Sequence, residues 1–125
     1  MADIHHISSP QEFADLLSSN TYVIADFYAD WCGPCKAIAP AYAQLAKTQS
    51  VPNWLAFAKV NVDNVQAVAA EYNVSAMPTF MFFKDGKQVA VNGNPLIRGA
   101  DIRSLTAAAE KMGKLAKEKS VAAAA

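Results

Sequence analysis

The chain has 125 residues, 53 % of them hydrophobic, and 11 Lys and Arg balance 11 Asp and Glu to a formal net charge of zero. That length fits one domain, and that apolar content supplies a packed core. With no basic block, nothing suggests a nucleic-acid or anionic-membrane surface, and the longest apolar stretches are strand-length, short of the roughly 20 residues that span a bilayer.

The chain opens Met1-Ala2-Asp3-Ile4-His5, without the cationic start and apolar run of a signal peptide, so a cytoplasmic location is expected. Ile4 to Ile7 reads as a short strand. Ser9-Pro10-Gln11-Glu12 combines a Ser-x-x-Glu capping box with proline at the first helical position, and Phe13, Leu16 and Leu17 follow at helical spacing. Tyr22 to Tyr28 is almost wholly apolar, β-branched or aromatic, as a strand buried on both faces should be; Asp26 is the exception. Trp31-Cys32-Gly33-Pro34-Cys35 then leads into a helix reaching about Gln49, with Ile38, Tyr42, Leu45 and Ala46 on one face and Pro40 inside it as a kink.

Ser50 to Asn53 breaks the chain before a strand from Leu55 to Val62. Asp63 or Asn64 is placed to cap a helix carrying Val65, Val68, Ala69 and Tyr72. Val74 to Pro78 is a loop leading to the strand Thr79 to Phe83, and Asp85-Gly86 turns it into a partner strand from Gln88 to Val91. Asn92 to Pro95 is turn-rich. Asp101 is placed to cap a last helix with Ile102, Leu105, Ala109 and Met112 inward. The expected order is βαβαβαββα: an α/β domain over residues 1–112, with a mixed five-stranded central sheet and four flanking helices. Residues 113–125 form an Ala- and Lys-rich tail, either a helix extension or disorder.

Cys32 and Cys35 are the only cysteines. A structural staple is disfavoured, because the entropic gain of a disulfide grows with the loop it closes and this loop is very short. Structural zinc needs about four ligands. His5 and His6 are the remaining candidates, and neighbours on a strand point to opposite faces. Haem attachment requires a histidine where Lys36 stands. Thiol–disulfide redox chemistry is the reading left. Cys32 sits where a strand gives way to a helix, whose free amide donors and partial positive charge favour the thiolate, the form that attacks disulfides. Asp26, buried in an apolar strand, should have a raised pKa because desolvation penalises its anion.

Several separated matches make the chain resemble the thioredoxin family over residues 4 to 112. The pentapeptide 31–35 matches the family's active-site motif at every position, Asp26 its buried acid, Pro40 its kink proline and Lys59 the lysine facing that acid. Met77-Pro78-Thr79 matches the cis-proline loop, and Gly99-Ala100 the glycine beside the substrate groove. Tyr28 replaces a tryptophan common in the family, and the connection from Val91 to Ile97 is longer than in its shortest members.

The resemblance implies the thioredoxin fold and a protein-disulfide reductase contributing to cell redox homeostasis. Cys32 would attack the substrate disulfide and Cys35 resolve the mixed disulfide, with Gly33 and Pro34 shaping the turn between them. Asp26 would accept the Cys35 proton, and Lys59 would tune Asp26. Met77 and Pro78 would form a substrate platform with Trp31, Ile97 and Gly99 completing an apolar rim. No bound cofactor or metal is expected; the redox centre is the Cys32–Cys35 disulfide, fed with electrons from NADPH through a flavoprotein thioredoxin reductase. Other partners are disulfide-containing client proteins, with no nucleic acid and no membrane, and the chain is expected to be a monomer that associates weakly, if at all, through the rim. A docking module of the same fold, with incidental electron transfer, is the alternative.

Overall fold

A computed structural model describes residues 4–125. Met1-Ala2-Asp3, on which the reading of a leaderless start partly rests, lie outside the described residues. The apolar run Tyr22–Tyr28 forms β2, with Tyr22 through Phe27 all buried. It pairs in parallel with β3 (Leu55–Asn61) and antiparallel with β4 (Thr79–Lys84), and β3 pairs in parallel with β1 (Ile4–Ile7). The sheet order is β1-β3-β2-β4, with two short strands side by side on the far edge of β4.

Those two strands replace the single edge strand read from the sequence. β5 (Lys87–Val89) pairs with Phe82–Lys84, and β6 (Leu96–Arg98) pairs with Thr79–Met81. Between them Asn92 and Gly93 take φ of 53° and 82°, and a bridge from Val91 to Asn94 folds the segment on itself. Pro95 has no N–H to offer a ladder. The edge position is therefore filled by two strands rather than one, making six in the sheet rather than five, and β6 delivers Gly99 to the end of the sheet where β2 runs into Cys32.

Side-chain alternation sorts the sheet into two cores. Tyr22, Ile24, Leu55, Phe57, Phe80 and Phe82 face α2 (Gly33–Gln49) and α4 (Ile102–Ala124). Val23, Ala25, Phe27, Ala58, Met81 and Phe83 face α1 (Pro10–Ser19) and the short α3 (Gln66–Glu71). By the same alternation Asp26 and Lys59, which are register partners, belong to the α2 side. Pro40 lies inside α2 without ending it. Tyr42 on α2 is fully buried, and its hydroxyl lies 2.7 Å from the Ala58 carbonyl and 3.0 Å from the Ile24 carbonyl, tying the helix to β2 and β3 just beside Asp26.

The helix starts follow local chemistry. Ser9 Oγ accepts from the Glu12 N–H and Asp101 from the Ser104 N–H, as expected of N-caps. Glu12 reaches back one residue further than in a capping box, to Ser8. The start of α3 departs from expectation: neither Asp63 nor Asn64 caps it. Asn61 Oδ1 instead accepts from the N–H groups of both Asp63 and Asn64, which folds the turn and leaves the Asp63 carboxylate unused by the backbone. Nor does any break fall at Gly113. Helix α4 continues to Ala124, Gly113 and Ala116 are buried, and a Cβ at Gly113 would run into the Gln49 side chain at the end of α2. No helix among the described residues is long and apolar enough to cross a membrane.

Candidate active site

β2 ends at Tyr28, and four residues later Cys32 becomes the N-cap of α2. Its sulfur accepts the Cys35 N–H at 3.2 Å, doing the work of a capping oxygen. Cys32 and Cys35 are joined as a disulfide with Cα atoms 5.3 Å apart. The spacing that suggested paired thiols thus places both sulfurs in the first turn of a 17-residue helix, where unpaired amides and the helix dipole stabilise a thiolate.

Exposure does not distinguish the two cysteines: each is 4 % exposed. The reason is that both belong to one buried cluster with Ala29, against which Tyr28, Val62 and Met77 pack. The asymmetry is in hydrogen bonding. Cys32 Sγ receives the helix N–H and lies 3.6 Å from the Met77 carbonyl oxygen.

The Met77–Pro78 peptide is cis. Pro78 is buried and Met77 half-buried, and the Pro78 carbonyl accepts the Gly99 N–H at 2.8 Å. Gly99 holds φ of 87°, a left-handed conformation that costs other residues strain. One hydrogen bond therefore fastens the loop at 77–78 to the end of β6. Ile97 takes no part in this rim: it is 5 % exposed, pairs with Phe80 across the ladder and lies in the α2–α4 core. The exposed surface beside the disulfide is made by Trp31, Gly33 and Pro34, with Trp31 68 % exposed.

Trp31 is nonetheless anchored. Its indole N–H donates to Asp63 Oδ2 at 3.0 Å. Sequence reading assigned Asp63 to a helix cap, and the only signal against it was Asn61, two residues earlier, a side chain able to fold the turn by itself. Asp63→Ala should release the indole and lower kcat/KM for a protein disulfide about threefold, or roughly 0.65 kcal/mol, the low end of the net worth of one hydrogen bond. Reduction of a small aromatic disulfide should be unchanged, and equal losses on both substrates would show that Asp63 acts otherwise.

Asp26 is 1 % exposed, and its Oδ1 has no hydrogen-bond partner. Desolvation raises its pKa to about 7, against the opposing pull of the Lys59 charge. Lys59 does not hydrogen-bond Oδ1; its ammonium sits 4.4 Å from the centre of the Tyr28 ring. A carboxyl poised near neutrality and left unpaired is suited to exchanging a proton, which a closed ion pair is not. The site is an open surface around a disulfide. A broad hollow lined by Phe13, Asn20, Tyr72 and Asp85 lies at the opposite end of β2.

The thioredoxin family model matches residues 4–107. A thioredoxin from Neurospora crassa is 72 % identical over 120 residues, covering 96 % of this chain and 94 % of that one. Among solved structures, the thioredoxin of Malassezia sympodialis superposes with a TM-score of 0.79 at 34 % identity, covering 90 % of this chain and 93 % of that one. The oxidised thioredoxin of Plasmodium falciparum gives 0.77 at 38 % identity, covering 88 % and 98 %.

Proposed function

The chain belongs to the thioredoxin family and is a protein-disulfide oxidoreductase working by dithiol–disulfide exchange, and on that premise we propose that it runs as a reductase with Cys32 as nucleophile and Cys35 as resolving thiol. The observation that carries the assignment is the helix N–H aimed at Cys32 Sγ. Reduced, the Cys32 thiolate attacks one sulfur of the client disulfide, forming a mixed disulfide and expelling the client's other sulfur as a thiolate. Cys35 then gives its proton to Asp26 and attacks Cys32 Sγ. The mixed disulfide breaks, the second client sulfur leaves, and the protein closes its Cys32–Cys35 bond. Two electrons have passed to the client, and its two thiolates take up one proton from Asp26 and one from solvent.

Lys59 restrains the basicity of Asp26 so that the acid can release its proton again near neutral pH. Gly33 and Pro34 keep the surface over the disulfide flat, and Trp31, Met77, Pro78 and Gly99 present a ledge on which an extended client segment lies. The returning electrons come from NADPH through a flavoprotein thioredoxin reductase, and the setting is the cytoplasm, whose poise keeps such a pair reduced. The protein works as a monomer, since a partner copy on the Trp31 rim would cover the site. Residues 113–124 continue α4, and Gly113 and Ala116 are buried with the rest of its inner face.

Insulin turbidity with dithiothreitol as electron source tests the reading. The protein should accelerate precipitation at micromolar concentration, and NADPH with a thioredoxin reductase should replace dithiothreitol. No acceleration by either electron source would leave a docking module as the better account.

A further inference from the structure

Met77 combines three properties that together mark a modification site. Its side chain packs against the cluster formed by Ala29, Cys32 and Cys35, its backbone carbonyl lies 3.6 Å from Cys32 Sγ, and it is only half-buried. Met81 and Met112 are each 1 % exposed in the two cores. Among the described residues, Met77 is thus the methionine least shielded from a small oxidant. It is also the apolar element of the ledge on the Pro78 side, where a polar group would be felt most.

We propose that the Met77 thioether is a site of oxidation that switches client docking, so that peroxide regulates this surface independently of the disulfide. The inference rests on Met77 forming part of the client ledge. In the step, a Met77 Sδ lone pair attacks one peroxide oxygen. The O–O bond breaks, an S–O bond forms, and the other oxygen leaves as water after proton transfer. The thioether loses two electrons and the peroxide gains them. The Cys32–Cys35 bond takes no part, so the modification can occur on the oxidised protein. The sulfoxide sets a polar, hydrated group where an apolar client side chain must lie, and the client pays its desolvation on docking.

The oxidised, disulfide-bonded protein is treated with hydrogen peroxide, digested, and mapped by mass spectrometry. Met77 should gain one oxygen well before Met81 and Met112, with Met1 resolved as a separate peptide. Insulin kcat/KM should fall about tenfold on the scale of one unpaired polar group, chiefly through KM. Turnover of a small aromatic disulfide, which needs no ledge, should stay within about twofold. Met77→Leu, compared with its own untreated rate, should lose nothing to peroxide. Oxidation of Met81 or Met112 ahead of Met77 would overturn the proposal, as would full insulin activity in the sulfoxide or equal peroxide loss in Met77→Leu. Met77→Gln without peroxide separates the underlying reading: normal insulin kcat/KM in that variant discards the ledge itself, whereas an impaired variant with Met77 resistant to peroxide discards only the switch.

Discussion

Cys35→Ser should hold the protein on its clients as a covalent mixed disulfide, while Cys32→Ser should form none; both should lose steady-state insulin reduction by on the order of 10³-fold or more, since neither can complete the exchange. The asymmetry is not one of residue burial, because Cys32 and Cys35 are each 4 % exposed. It comes from the backbone. Cys32 is the N-cap, and its Sγ takes the Cys35 N–H at 3.2 Å, so a negative charge on that sulfur meets a donor already in place. Cys35 is one turn into α2, on the face that packs against the sheet. Its thiol has the Cys32 sulfur as its neighbour once the mixed disulfide forms, and resolution is intramolecular. Without Cys35 the intermediate has no fast exit. Non-reducing electrophoresis of each variant after incubation with insulin reads the difference directly, and equal trapping by the two variants would reverse or abolish the assignment.

What could be read from the residues alone was the part specified by short-range chemistry. Tyr22–Tyr28 declared itself a two-sided buried strand, Ser9 and Asp101 capped the helices they preceded, and Asp85-Gly86 turned β4 into β5. Asp26 stood out because a carboxylate in such a strand has nowhere to hide its charge. The misses share a cause: each depends on a partner distant in sequence or on a choice between two local options. Ile97 lies in the core rather than on the rim because its register is set by Phe80, and the folded segment from Val91 to Asn94 conceals that register. Asp63 was free to hold Trp31 only because Asn61 folded the turn first. For the tail from Gly113 the residues left helix extension and disorder open; the helix continues, and Gly113 is the residue small enough for Gln49 to approach.

Asp26→Asn should remove most of the pH dependence of stability between about pH 4 and pH 7, and slow resolution of the mixed disulfide at neutral pH. The carboxyl has a pKa of about 7 in the folded protein against an ordinary value of 3.8. Between these two values the folded state holds a proton that the unfolded chain has released. Stability is therefore fully present below the unfolded pKa, falls as pH rises through this window, and is level above it. About three pKa units correspond to roughly 4 kcal/mol. Asparagine is neutral throughout, so the variant should match the native protein near pH 4 and exceed it by a few kcal/mol at pH 8. Urea unfolding of the oxidised proteins at a series of pH values measures both curves. The same substitution takes away the proton acceptor for Cys35, and single-turnover release of a client from the mixed disulfide should slow by about tenfold or more. The two effects have opposite signs at one residue. A buried acid that weakens the fold at neutral pH persists where its proton is used, and a variant both more stable and equally fast would remove Asp26 from the reaction.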